Sequence, residues 1–490
     1  MTLFKTRSGS WIVFGLACAL ISVLRLHSFD EPLEADETIM AVIAHDWSGG
    51  GKPYVTTWEN KPIGSYVVYR AGLSAFGNSE NGVRTLALAA TLLSTLFVFL
   101  ILRRHHGPST AYFMLVAWGL LTVWVPAHAN GANSEVFALP FLLAALLIID
   151  IGVGGGAPWA LPASILVLLL SLFIKQVTVP FLFVPPLLLE KRWKRQAAWI
   201  TLTLVAGIAL YFLVYGLFGY DARFVARQMW GNIFHASNGH RRSWLSVANQ
   251  SALFLVQPSI RWLSPFFITG AACAAFSATA LRCKTARLTL GFFVAAVIAV
   301  VLPGWNRPHY FILLLPFVPL LLAFAAEAVP NKLAWRGLFA ALFLLLFLRV
   351  DMTYLALDPR EISKAKYDDL TPNWFLRDRF IGLEALRKGY TGRRVYVSNN
   401  HPGIIFYSHN APATRYFVRW MNSLPGNPPF TATEADLRAN PPDLIFLPNM
   451  TEFSQPFGEW VNRAYVEKDN IDGCPVFKFK RAEATNTSHS

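Results

Sequence analysis

The sequence predicts a polytopic α-helical membrane protein of about 11 transmembrane helices, followed by a small C-terminal α/β domain outside the membrane. Three observations predict it. Of 490 residues, 54% are hydrophobic and 15% charged, against about a quarter charged in an average soluble domain. The apolar residues gather into runs such as ALAATLLSTLFVFLIL and HYFILLLPFVPLLLAFAA, which approach the ~20 residues that cross a bilayer. From about residue 356 the texture changes to short strand-like runs separated by turn formers, the pattern of a water-facing mixed fold.

The spans read as 10–27, 84–103, 109–127, 135–152, 158–173, 176–189, 198–219, 262–281, 286–303, 309–328 and 333–353. The stretch 158–189 also reads as one long helix, and charge decides between the two. The basic loops are RRHHG (103–107), EKRWKR (190–195), RCKTAR (282–287) and NKLAWR (331–336). All four share the side of the N-terminus only when two short spans meet near Lys175. Clustered Lys and Arg mark the cytoplasmic side, so the N-terminus is expected there. Loop 28–83, HANGANSE (128–135), loop 220–261 and the C-terminal region are then expected outside. Two domains follow, a membrane domain over 1–355 and an extracytoplasmic domain over 356–490.

In the first outer loop, PIGSYVVYRAGLSAFG (62–77) is apolar, too short to span comfortably, and carries Arg70. It reads as a helix lying along the interface. The stretch after Asp36 reads the same way, with Ile39, Ile43 and Trp47 on one helical face, Met40 beside them, and His45 and Asp46 elsewhere. In the C-terminal region RRVYVSN, GIIFYS, PDLIFLPN and PVFKFKR read as strands. NWFLRDRFIGLEALRKG and FGEWVNRAYVEK read as helices.

Several functions are excluded. The net charge of +14 sits in short clusters between apolar runs, which fits topology rather than a nucleic-acid footprint. Cys18 and Cys273 lie in apolar runs, Cys283 in a basic loop and Cys474 alone near the C-terminus, so neither a disulfide framework nor a zinc site is expected. GVGGG (152–156) has no following Lys-Ser/Thr and is no phosphate loop. The first apolar run, behind Lys5 and Arg7, has no convincing cleavage site and reads as an uncleaved span.

Six places carry candidate chemistry. Asp36 and Glu37 in ADETIMAVIAHDW either cap an interfacial helix or supply a general base at the lipid boundary. Glu59 and Lys61 in TWENKPIGS either precede a helix with Pro62 at its first position, or Lys61 holds a phosphate. In GANSEVFALP, Asn133, Ser134 and Glu135 sit where a span enters the membrane; Ser134 and Glu135 either cap that span, or Glu135 lies across from Asp36 in one outward-facing cavity. Lys175 and Gln176 in FIKQVTVP either snorkel or act at membrane depth, where ionisable groups are costly and usually functional. Arg307, His309 and Tyr310 end GWNRPHYF. Arg223, Arg227, His235, His240, Arg241 and Arg242 fill the loop after 220, and cations outside the membrane suit an anionic partner such as phosphate or acidic lipid.

Taken in order, these motifs resemble the GT-C class of integral-membrane glycosyltransferases. Within it they look like the bacterial relatives of protein O-mannosyltransferases and lipid A aminoarabinose transferases, a glycosyltransferase family 39-like pattern. The resemblance rests on DE, WENKP, FGNSENGVR, GANSE, KQ and RPHYF, spread over most of 10–355, with ATRYF (413–417) in the outer domain. It implies a GT-C-like membrane domain that moves a sugar from a polyprenyl-phosphate donor to a glycan, glycolipid or protein acceptor. The transfer would occur, with inversion, on the outer face of the cytoplasmic membrane. It implies Asp36 as base or acceptor-orienting acid with Glu37 beside it, and Glu135 as a second acid. It implies Lys61 at the leaving phosphate beside Glu59, with Asn133, Lys175, Arg307, His309 and Tyr310 lining the lipid-phosphate side. Membrane lipids are further partners; no cofactor and no obligatory metal is implied, although Asp36 and Glu135 could share a divalent cation. The chain departs from the family at Lys61-Pro62-Ile63, where many relatives have Lys-Pro-Pro. A transporter or flippase of lipid-linked sugars is the alternative; it would favour inverted repeats, and no convincing repeat is visible.

Overall fold

In a computed structural model of the chain, the described residues are 7–155, 157–227, 229, 283–301, 303, 307–328, 337, 340–341, 344–345, 347–348, 352–367, 374–423, 427–448 and 454–480. The expected span 262–281, most of 333–353, Cys273 and the cations His235, His240, Arg241 and Arg242 lie outside them. The chain packs as two compact units. The first is Met1–Glu31 with Lys61–Leu370, and the second is Pro32–Asn60 with Thr371–Ser490. Part of the first outer loop thus groups with the C-terminal residues.

The first unit begins with α1 (Arg7–Leu26); α2 (Ala35–Ser48) belongs to the second. Then come α3 (Ile63–Phe76), α4 (Glu80–His105), α5 (Pro108–Leu121), α6 (Ser134–Gly155) and α7 (Ala160–Leu172). A 3-10 segment, Gln176–Phe183, leads into α8 (Val184–Leu189), followed by α9 (Trp193–Leu217) and α10 (Lys284–Val301). A second 3-10 segment, Pro308–Leu314, leads into α11 (Phe317–Ala328), and α12 (Ile362–Tyr367) closes the unit. Among the described residues, six segments are long and apolar enough to cross a membrane: Gly9–Asp30, Glu80–His105, Ser134–Gly152, Trp193–Leu217, Lys284–Val301 and Pro308–Ala326. Pro108–Leu121, Ala160–Leu172 and Gln176–Leu189 are shorter apolar helices.

Burial sorts these segments. Pro308–Ala326 is almost wholly inside and Ser134–Gly152 largely so, while Trp193–Leu217 is almost wholly exposed. An exposed face of Leu202, Val205, Ile208, Phe212 and Leu213 suits hydrocarbon, because a helix satisfies its own backbone there. Helix α4 has 26 residues, about 39 Å of rise against a hydrocarbon core of ~30 Å. It ends in Arg103, Arg104 and His105, cations placed favourably at a helix C-terminus. At that end, buried Asp150 of α6 accepts from His105 Nε2 at 2.8 Å and from Thr285 of α10, and pairs with Arg104 Nε at 3.0 Å. One carboxylate so ties three helices.

The chain breaks between α7 and the 3-10 segment at Lys175, which has extended backbone (φ −145°, ψ 114°). The start of α3 docks onto this break. Ser65 Oγ donates to the Ile174 carbonyl at 2.6 Å. Gly64 permits the approach, since a Cβ there would stand 2.2 Å from the Phe173 carbonyl oxygen. Pro62 is the N-cap of α3 rather than its first helical residue. Tyr66, Tyr69, Gly72 and Leu73 of α3 are buried, with Val67 and Phe76 exposed, so this helix is one-sided as expected of a stretch lying along an interface.

The second unit is a five-stranded sheet in the order β2-β1-β3-β5-β4. Its strands are β1 (Arg394–Val397), β2 (Ala411–Pro412), β3 (Leu444–Phe446), β4 (Tyr465–Ile471) and β5 (Cys474–Phe479). β1 pairs in parallel with β2 and β3; β5 is antiparallel to β3 and β4. Besides α2 and a single turn at Arg419–Asn422, its helices among the described residues are α13 (Trp374–Arg387), α14 (Pro402–Tyr407), α15 (Phe430–Ala439) and α16 (Gln455–Ala464).

Three sequence expectations are corrected here. GIIFYS forms helix α14, not a strand; Pro402 starts it, and every residue of it is buried. FGEWVNRAYVEK is helical only to Ala464 and then becomes β4, because Asp472 (φ 50°) and Gly473 (φ 70°) make the hairpin turn to β5, an Asp-Gly turn signal. Helix α2 is not one-sided: Glu37 to Ala44 are all buried. It packs on α14 and β2, and Leu33 N–H donates to Tyr407 Oη at 2.9 Å.

Gly64→Ala is expected to cost ~1–3 kcal/mol by overpacking. Gly216→Ala in α9, where a Cβ meets nothing within 4 Å, is expected to be neutral or stabilising by up to ~1 kcal/mol. Thermal unfolding of both variants in detergent checks this.

Candidate active site

Glu135 lies in the first turn of α6 and is fully buried. A helix N-terminus favours a carboxylate there, but burial of the charge is costly unless it is paired. Lys175 supplies the pair: its Nζ stands 2.8 Å from Glu135 Oε1, and both side chains are buried. The extended backbone at Lys175 lets a residue between two helical segments turn its ammonium inward. The same Nζ stands 4.9 Å over the centre of the Tyr310 ring, a cation–π contact strengthened by dehydration.

Tyr310 and His309 open the 3-10 segment before α11, their rings edge to face at 4.8 Å. His309 is buried and near enough to Glu135 for their charges to interact. Lys61, buried just before α3, acts on Lys175 by charge repulsion. The close docking at Gly64 carries it there. Asn133 is buried, and its side-chain nitrogen has no hydrogen-bond partner among the described residues. Ser134, expected as a possible cap, turns its hydroxyl to Glu135 Oε2 at 3.3 Å. Arg307 precedes the 3-10 segment and is exposed. Lys61, Glu135, Lys175, His309 and Tyr310 thus form one polar cluster in the apolar first unit. The Glu135–Lys175 ion pair lies inside it, and ionisable groups gathered within an apolar unit point to function.

The sequence reading missed the groups that hold this cluster. His128 is buried with a left-handed backbone (φ 53°), a conformation that costs energy in a non-glycine residue and gathers at functional sites. Its ring centre is 6.5 Å from that of His309. Its loop hangs on Arg25, whose buried guanidinium donates to the carbonyls of Thr122, Ala129, Asn130 and Gly131 at 2.8, 2.7, 3.3 and 2.8 Å. Next to it Glu31 is buried, paired with Lys366 Nζ at 2.7 Å and Arg84 Nη1 at 3.8 Å, and accepts from Asn130 Nδ2 at 2.8 Å. An arginine at the end of the first span was a visible signal, since such residues default to function. Its partners, about a hundred positions away, were not visible.

Asp36, Glu37 and Glu59 belong to the second unit. Asp36 is half-buried in the first turn of α2. Glu37 forms a capping box with Glu34, accepting from the Glu34 N–H at 3.0 Å. Glu59 is buried. Beside it, Trp58 N–H donates to the Arg415 carbonyl at 3.0 Å, and the Trp58 ring packs 5.6 Å from Tyr416, which joins WENKP to ATRYF. Among the described residues no three His, Cys, Asp or Glu side chains converge as a metal site would need.

Comparison with solved structures gives the fold. The chain is similar to ArnT from Cupriavidus metallidurans in the apo state, at 13% identity and a TM-score of 0.60, over 96% of this chain and 98% of that one. It is similar to the same protein bound to undecaprenyl phosphate, at 14% identity and a TM-score of 0.59 over the same 96% and 98%. The chain has the GT-C fold. An oligosaccharyltransferase from Archaeoglobus fulgidus, in complex with Zn and sulfate, matches at 14% identity and a TM-score of 0.50, over 89% of this chain and 67% of that one. At the level of sequence no protein family and no curated protein matches. With this fold and its apolar helices, the chain is a multi-pass membrane protein.

Lys175→Met removes the ammonium in direct contact with the buried Glu135 carboxylate and is expected to destabilise by ~3–5 kcal/mol. Adding Glu135→Leu to that variant is expected to restore most of the loss, because an apolar pair replaces a buried ion pair at little net cost. Thermal melts of the two variants in one detergent decide the matter.

Proposed function

We propose that the chain is a glycosyltransferase that takes a sugar from a polyprenyl-phosphate-linked donor. The acceptor is lipid A, an envelope polysaccharide, another glycolipid or a protein, and transfer occurs on the outer face of the cytoplasmic membrane. The observation that carries this reading is the cluster of Lys61, Glu135, Lys175, His309 and Tyr310, which brings two ammonium groups together inside the first unit, on the fold of a protein crystallised with undecaprenyl phosphate.

In this reading the acceptor oxygen attacks the anomeric carbon of the donor. The bond from that carbon to the phosphate oxygen breaks, and the lipid phosphate leaves with an added negative charge. Lys61 and Lys175 meet that charge as it grows, which lowers the barrier more than it tightens the ground state. Glu135 keeps Lys175 in position, and Asn133 offers an amide donor. Arg307, at the exposed end, draws the phosphate headgroup in. The acceptor's proton passes to Asp36, with Glu37 fixing the helix that carries it and Glu59 in the same unit. The lipid carrier delivers an activated sugar, so the reaction has no need of a nucleotide fold. The expected orientation keeps the N-terminus cytoplasmic and the second unit outside.

The test is mass spectrometry of envelope lipids and glycans from cells lacking the gene, rescued with wild type, Asp36→Asn or Lys61→Ala. Wild type is expected to restore one missing glycoform. Both variants are expected to leave it missing while a polyprenyl-phosphate sugar accumulates, a fall of ~100-fold or more for loss of a general base. Full rescue by Asp36→Asn would remove the acid from the mechanism and favour transport of the lipid-linked sugar.

A further inference from the structure

We infer that the second unit carries a binding cleft for an anionic sugar, one bearing a carboxylate or a phosphate. The cleft lies at the end of the sheet where β1 and β3 begin and β5 ends. Gly392, Arg393, Asp443, Lys478 and Phe479 line a cavity of about 430 Å³, within the ~300–1,000 Å³ of small-ligand sites.

The backbone around it is fully tied. Asp443 N–H donates to the Arg394 carbonyl at 2.9 Å, Phe479 N–H to the Asp443 carbonyl at 3.2 Å, and Gly392 N–H to the His409 carbonyl at 3.3 Å. Asp443 Oδ2 also accepts from Arg394 N–H at 3.2 Å. Gly392 has a left-handed backbone (φ 65°) and no neighbour within 4 Å of a Cβ position. A hydrogen-bonded rim therefore surrounds the Arg393 and Lys478 side chains. The Arg393 guanidinium and the Lys478 ammonium make no hydrogen bond or ion pair among the described residues. Other cations of the unit are engaged: Arg387 pairs with Glu384, Lys388 with Asp469, and Arg377 with Asp472.

The chemistry of the lining selects the ligand. Two cations outnumber the one carboxylate, so the occupant carries negative charge; a guanidinium meets carboxylate or phosphate as a two-pronged donor. Asp443 repels a bare anion but accepts from hydroxyls, which a sugar supplies in plenty. Phe479 gives a flat apolar wall, held by edge-to-face packing on Tyr465 at 5.2 Å. A phosphate ion uses only part of this set, whereas an anionic sugar uses all of it. Assigning this ligand to the acceptor rests on the transferase reading; the binding itself does not.

The experiment is saturation-transfer NMR on the full chain in a neutral detergent, with galacturonate and galactose 1-phosphate as probes and galactose and inorganic phosphate as competitors. Both probes are expected to receive transfer at the sugar ring protons, and to lose it as salt rises past ~0.1 M. In Arg393→Gln/Lys478→Gln the affinity is expected to fall roughly tenfold or more. Asp443→Asn is expected to weaken the sugars but not inorganic phosphate. Unchanged binding in the double variant overturns the inference, and so does displacement by phosphate as effective as by the sugars. If the double variant binds normally while Asp36→Asn abolishes transfer in cells, this inference fails and the transferase reading stands. The reverse pattern separates them the other way.

Discussion

A carboxylate enclosed in a membrane bundle has to be neutralised, and the 2.8 Å contact from Lys175 to Glu135 does this at the centre of the first unit. Much of the local architecture follows from that need. An ammonium reaches Glu135 because the chain stops being helical at Lys175 and takes an extended residue there. The freed carbonyl of Ile174 must then be satisfied without water, and Ser65 satisfies it. Ser65 gets close because residue 64 has no side chain, and the same approach brings Lys61 beside Lys175. One buried charge thus dictates a helix break, a glycine and the seat of a second cation.

The loop before α6 follows a similar rule on the other side of the cluster. A loop inside an apolar unit exposes carbonyls that helix or sheet would otherwise occupy. Arg25 takes four of them. That fixes the strained backbone at His128 and the position of Asn133. Glu31, Arg84 and Lys366 form the adjoining polar layer. Such a layer is tolerable in a membrane only when each member has partners, and here each has at least one.

The long apolar runs, the break at Lys175, the start of a span at Ser134 and the polar end at His309 were legible because each is a local departure from hydrophobicity. The gathering of these motifs followed from the resemblance of their order, not from spacing. Arg25 and Glu31 stayed illegible because their partners are remote in sequence. GIIFYS misled because a buried short helix and a buried strand have the same composition. Helix α2 misled in another way: its stripe of Ile39, Ile43 and Trp47 looked one-sided, yet Ala41, Val42 and Ala44 are buried as well. The Asp-Gly turn before β5 was readable, and the helical pattern before it hid it.

The packing of helix α2 bears on biogenesis. Residues 32–60 leave the ribosome early, but the α14 helix and β2 strand that α2 packs against lie beyond residue 400. The hydrogen bond from Leu33 to Tyr407 spans 374 positions. Contacts so distant in sequence form slowly and only after the intervening chain exists. The apolar residues of α2 must therefore wait, exposed and aggregation-prone, while the helices between are inserted. The second unit is the last part of the protein to mature, and a polypeptide stalled before its C-terminal residues would carry an orphaned hydrophobic segment that quality-control proteases can recognise.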